Sequence, residues 1–144
     1  MVIRVGIDPD INKSGFAITI DGALVRVEAR TFFDLCEILN SAKNIARDVG
    51  AMLMVTIEAG WLIKKQNWHP AQGRGVRDKI AKNIGENHAA GKLIARWCDE
   101  AGIPYELVPP RGKVKSARFK RLTGWNKRAN QDMRDAAMLI WGRQ

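Results

Sequence analysis

The chain has little of what small domains use as covalent or metal staples. It contains two cysteines, Cys36 and Cys98, in no CxxC pair, and two histidines, His69 and His88, in no zinc-ligand spacing. A disulfide framework and a zinc site are excluded on those grounds, and both thiols are expected to be buried in the helices of a reduced, cytoplasmic protein. Long apolar runs are missing as well. No stretch approaches the roughly 20 residues of a membrane span, and Arg4 and Asp8 break the apolar start after Met1, so neither a membrane segment nor a secretory leader is expected. Internal repeats, low-complexity tracts and linkers are not found either. With 144 residues and 46% hydrophobic content, the expected organisation is one self-folding domain over 1–144.

What the chain does have is positive charge in one place. Residues 1–60 carry six Lys/Arg against eight Asp/Glu, residues 61–128 sixteen against five, and residues 129–144 two against two, for a net +9. The basic middle is interleaved with Trp61, Trp68, His69 and Trp125. That pattern suits a nucleic acid, because Lys and Arg release counterions condensed on phosphates and aromatic rings give bases a stacking face. An amphipathic membrane-surface stripe fits it poorly.

Hydropathy supplies the order of elements. Val2 to Ile7, Phe16 to Ile20 and Ala23 to Val27 read as strands, with Asp21-Gly22 supplying the positive φ angles of a two-residue hairpin turn. Thr31 is a candidate N-cap for a helix whose apolar residues keep helical spacing up to Gly50. Ala51 to Ile57 is a near-continuous apolar run, as in a central strand covered on both faces, and it stops on Glu58. Residues 59–76 have no apolar period and hold Pro70, Gly73 and Gly75, so a long basic loop should precede a helix from about Arg77 to Ala101. A strand from Ile103 to Val108, a basic helix from Lys115 to Leu122 and a last helix from Asn130 to Gly142 complete an α/β order, βββ-α-β-α-β-α-α.

Four acidic residues stand out against this background. Asp8 interrupts an apolar first strand and Glu58 ends the most buried-looking strand, where an unpaired carboxylate is costly. Asp132 and Asp135 share one face of the last helix and repel each other unless a positive charge intervenes. Singly, each has a plain explanation: Asp8 as a turn cap with Pro9 and Asn12, Glu58 as a lysine partner, Asp132 as a favourable charge at a helix start. Together they suit a divalent cation with hard oxygen ligands, Mg²⁺ or Mn²⁺. Two such ions about 3.5–4 Å apart activate water and stabilise the leaving oxygen when a phosphodiester is hydrolysed.

The same residues resemble the RuvC-type Holliday junction resolvases of the RNase H-like, or retroviral integrase-like, superfamily. Four blocks carry the likeness across nearly the whole chain: Val5-Gly-Ile-Asp-Pro-Asp10 with Ser14-Gly-Phe-Ala17, Val55-Thr-Ile-Glu58, Val114-Lys-Ser116, and Asp132-Met-Arg-Asp135-Ala-Ala137. It implies an RNase H-like fold, with a mixed five-stranded sheet of three antiparallel then two parallel strands, flanked by helices. It implies a homodimeric, Mg²⁺-dependent endodeoxyribonuclease that resolves four-way or other branched DNA by paired cuts. Mn²⁺ should substitute, with two ions per site held by Asp8, Glu58, Asp132 and Asp135 as catalytic ligands. Lys115 falls where such enzymes set a basic residue against the scissile-strand phosphate, with Lys113 close enough to leave the register open. Trp61 falls where an aromatic stacks on junction bases, although a partly buried loop aromatic is the plainer alternative. Lys64, Lys65, Arg74, Lys113, Lys115 and Arg118 are the expected DNA grips, and the helix over 77–101 the expected dimer contact, unless Leu93, Ile94 and Trp97 face only their own core. Neither a small-molecule cofactor nor a membrane is expected.

The chain departs from the pattern at Asp10, where many members have glycine. Asp10 either adds a carboxylate near the metals or caps the loop. Two other readings stay open: an RNA-directed nuclease of the RuvX/YqgF type, and a non-catalytic nucleic-acid-binding protein on the same scaffold. An actin-like phosphotransferase needs two domains and over twice this length.

Overall fold

The computed structural model of the protein describes residues 1–63 and 73–144, so Lys64, Lys65, Trp68 and His69 lie outside the described residues. Strands β1 (Val2–Asp8), β2 (Ser14–Ile20) and β3 (Ala23–Arg30) are followed by α1 (Phe32–Val49), β4 (Met52–Glu58) and a 3₁₀ turn (Gly60–Leu62). Helix α2 (Arg74–Ala101), β5 (Tyr105–Val108), α3 (Ser116–Thr123) and α4 (Gln131–Ile140) complete the chain. The sheet order is β3-β2-β1-β4-β5, with β1–β2 and β2–β3 antiparallel and β1–β4 and β4–β5 parallel. This is the expected mixed five-stranded sheet.

Local chemistry accounts for the junctions. Asp21 and Gly22 take φ of 48° and 83°, and the Asp21 carboxylate accepts from Val2 N at 2.7 Å, pinning the hairpin to β1. Thr31 Oγ1 accepts from Asp34 N and left-handed Gly50 closes α1. β3 runs three residues past the apolar Val27, because Glu28 pairs with Arg26 and Arg30 along the sheet edge. β5 begins at Tyr105 rather than Ile103: Ile103 N bonds Cys98 O at 2.9 Å, which makes it the residue that packs after the Gly102 helix cap. α2 starts at Arg74, three residues early, since its first turns bury nothing and leave no apolar period to read. Among the described residues, no helix is long and apolar enough to cross a membrane.

The two sheet faces differ, and the difference positions the site. Ile3, Val5, Ile7, Phe16 and Ile18 point one way into a core closed by Leu35 and Leu39 of α1 and Ile94 and Cys98 of α2. On the other face, Gly6, Gly15 and Ala17 leave the sheet nearly flat, and α4 lies on it through Ala136, Ala137 and Ile140. The approach is backbone to backbone. A Cβ on Gly15 would stand 2.2 Å from Asp132 O, and one on Gly6 2.1 Å from Ala136 O. Gly15→Ala should therefore cost about 3 kcal/mol, the upper end for overpacking, and lower the melting temperature by about 10 °C. A thermal scan that shifts by less than about 2 °C would mean that α4 does not seat on the glycines.

Candidate active site

The parallel register sets Ile7 opposite Ile57, so Asp8 and Glu58 emerge side by side where β1 and β4 end. Adjacent strands lie about 4.8 Å apart, which puts two carboxylates within reach of one ion. Asp8 shares the face of Gly6, two residues earlier, and that face is the one α4 covers. On α4, the Asn130 side chain accepts from Met133 N at 2.9 Å and fixes the helix start, leaving Asp132 in the first turn and Asp135 one turn on. One oxygen from each of Asp8, Glu58 and Asp135 lies within 4.8 Å of the others. Asp132 joins through a hydrogen-bonded contact with Asp8.

The four carboxylates crowd one another. Burial, the hydrogen-bonded contact with Glu58 and the charges of Glu58, Asp132 and Asp135 push the Asp8 carboxyl from an ordinary 3.8 up to about 10. Burial also raises Asp132, with the contact to Asp8 pulling the other way. The ammonium found at the set belongs to Lys113, whose Nζ donates to Asp135 Oδ2 at 2.9 Å; that bond, with the charges of Asp8 and Glu58 beyond it, raises the lysine further. Carboxylate oxygens at this spacing fit Mg²⁺ or Mn²⁺ at Asp8, Glu58 and Asp135.

A pH dependence follows. Unfolded, Asp8 ionises near 3.8; folded, near 10, so the folded protein binds more protons in between and metal-free stability falls as pH rises through that window. In EDTA, wild type should lose melting temperature between about pH 6 and about pH 9 relative to Asp8→Asn, and Mn²⁺ should restore it. Parallel pH profiles for the two proteins would show that Asp8 ionises freely.

A cleft of about 310 Å³ opens beside the carboxylates, walled by Asp8, Glu58, Trp61, Asn87, His88 and Lys113 among others. The Trp61 ring, from the 3₁₀ turn, packs against α2, where a Cβ on Gly91 would stand 2.6 Å from it, with Pro9 alongside. His88 meets that ring edge-on, centroids 6.0 Å apart, and the Lys92 ammonium stands 5.8 Å from its centroid. Asp10 caps its own loop, accepting from Asn12 N at 2.8 Å and Lys13 N at 3.3 Å. Lys115 is the exposed N-cap of α3, Arg74 opens α2 and Arg118 lies exposed on α3; it is Lys113 whose ammonium meets the carboxylates. Arg111 lines a small recess with Glu58 and Asp135, and with Asn87 and His88 it is a site neighbour that sequence reading passed over. A histidine and an asparagine inside a mostly polar helix carry no period that would single them out.

The sheet order, the helix-covered flat face and the carboxylates at the ends of β1 and β4 define an RNase H-like fold. No protein-family model matches the chain, and no curated protein matches it by sequence. Among solved structures it is similar to RuvC of T. thermophilus in complex with a Holliday junction substrate, with a TM-score of 0.56 and 15% identity over 96% of this chain and 90% of that one. A second structure of Thermus thermophilus RuvC aligns at a TM-score of 0.49 and 15% identity, over 95% of this chain and 90% of that one. The fold is thus the RNase H-like fold that RuvC has.

Proposed function

We propose that the protein is a metal-dependent endonuclease that resolves four-way or other branched DNA by paired phosphodiester hydrolysis, working as a homodimer. The observation that carries the reading is the convergence of Asp8, Glu58 and Asp135 within 4.8 Å, at the ends of two parallel strands and on the helix that covers them. Asp132 completes the set beside Asp8. Bound there, divalent cations lower the pKa of a coordinated water and neutralise charge building on the phosphate.

The chain's own groups divide the remaining work. Asp8, Glu58, Asp132 and Asp135 hold the ions, and neighbouring Gly6 and Gly15 let α4 approach closely enough for Asp135 to converge with Asp8 and Glu58. Lys113 supplies the fixed positive charge that meets the scissile-strand phosphate, the role that the likeness of Val114-Lys-Ser116 left between two lysines. Trp61, at the rim of the cleft, offers a ring to unpaired bases of the crossover. Arg74, Lys115 and Arg118, together with Lys64 and Lys65, hold the flanking backbone. That RuvC was solved with a Holliday junction substrate supports a branched DNA as the ligand of the shared fold.

The test is a panel of end-labelled substrates with Mg²⁺: a four-way junction, plain duplex, RNA–DNA hybrid and structured RNA. Cleavage of the junction in preference to the duplex is expected. Activity confined to RNA would replace this reading with the RNA-directed one, and a folded dimer that cuts nothing would leave a binding protein.

A further inference from the structure

The segment that carries Lys113 runs from Pro109 to Lys115 between β5 and α3 and has no regular structure. A lysine on such a segment reaches Asp135 only if something holds the backbone there. Two side chains of α4 do. Arg134 Nε donates to Val114 O at 3.1 Å and Gln131 Nε2 to the same oxygen at 3.4 Å. The other two guanidinium nitrogens also bond inside the protein: Nη1 donates to Ala129 O at 2.5 Å and Nη2 to Gln131 Oε1 at 2.8 Å. Gln131 Nε2 also donates to Asp135 Oδ1 at 2.7 Å, so Asp135 is bracketed by Gln131 on one oxygen and Lys113 on the other.

We infer that Arg134, with Gln131, is a positioning residue: it ties the Val114 carbonyl to α4 and thereby holds the Lys113 ammonium against Asp135, a member of the metal-binding set. The planar fork of arginine suits this, since it meets Val114 O on one segment and Ala129 O and Gln131 Oε1 at the start of α4 at once; lysine, a single ammonium, cannot bridge them. The tether has two consequences. It presents Lys113 to the substrate phosphate, and it makes Lys113 a competitor of divalent cations for Asp135 when no DNA is bound. The first consequence rests on the nuclease reading above; the second does not.

A double-mutant cycle separates this role from plain support of α4. Arg134→Met and Arg134→Lys are each made alone and with Lys113→Met, and Mn²⁺ affinity is measured by calorimetry on DNA-free protein, beside single-turnover cleavage of a four-way junction. In the wild-type background both variants should bind Mn²⁺ more tightly, by about 3-fold or more, and cleave about 10-fold more slowly, the size usual for partners that orient a metal site. In the Lys113→Met background neither quantity should move. Arg134→Lys keeps the charge, so a general charge effect would spare it, and wild-type behaviour of that variant overturns the tether. Equal changes in both backgrounds, or none in the wild type, overturn it too, and melting temperatures identify a variant that has simply lost its fold. If wild type binds Mn²⁺ but cuts no nucleic acid, the nuclease reading fails while calorimetry still decides the tether; if it binds no Mn²⁺, both fail.

Discussion

Asp8→Asn should lower the single-turnover rate on a four-way junction by at least about 10³-fold, roughly 4 kcal/mol of transition-state stabilisation, while the junction dissociation constant changes by less than about 3-fold. Asparagine has the shape of aspartate but not its charge, so the fold around it is kept and the balance needed to hold a divalent cation is lost. Metal-free protein should be stabilised at neutral pH, since Asp8 resists ionisation among Glu58, Asp132 and Asp135. Weakened binding with undiminished cutting per bound complex would contradict the assignment. Such a result would move Asp8 from the chemistry to the grip.

The second large effect separates two lysines only two positions apart. Lys113→Met should cost about 10²-fold in cleavage rate, comparable to the loss of one preorganised charge contact, whereas Lys115→Met should cost less than about 3-fold. The reason is placement: the Lys113 ammonium lies 2.9 Å from Asp135 Oδ2, while Lys115 is the exposed N-cap of α3. If Lys115 contributes only to backbone grip, its removal should reduce the slope of log affinity against log salt by about one contact and weaken all DNA substrates alike. The reverse ranking of the two rates would mean that the segment between β5 and α3 shifts when DNA binds, carrying Lys115 into the place that Lys113 occupies here.

How much of this was legible in the residues follows from the range of the forces involved. The strands and α1 announce themselves through local patterns: the apolar run before Glu58, the Asp21-Gly22 turn and the Thr31 cap. Asp8, Glu58, Asp132 and Asp135 could be named because carboxylates at strand ends and one helical turn apart are conspicuous in an apolar setting. Elements whose ends depend on distant contacts were misplaced. The start of α2 has no buried face to betray it, and Ile103, read as strand, is the apolar residue that follows a helix cap.

The choice between Lys113 and Lys115 was beyond local reasoning because the segment has no period and its register is set by Arg134 and Gln131 from another element. Only the tertiary structure shows that three donors of Arg134 are used inside. Gly6 and Gly15 appear in the sequence as weak points of two strands, and their use, the seating of α4, needs the helix to be there. Trp61 falls between the two alternatives it posed. Its ring is packed on Gly91, yet it also lines the cleft beside the carboxylates.

The most direct test of the central claim is single-turnover cleavage of an end-labelled four-way junction as Mg²⁺ is titrated from zero in the presence of a chelator. No product in the absence of the ion, a saturable rise in rate as it is added, and paired nicks at symmetric positions on opposed strands are predicted. Cleavage that persists undiminished in the chelator, or junctions bound and never cut at any Mg²⁺ or Mn²⁺ concentration, would contradict it.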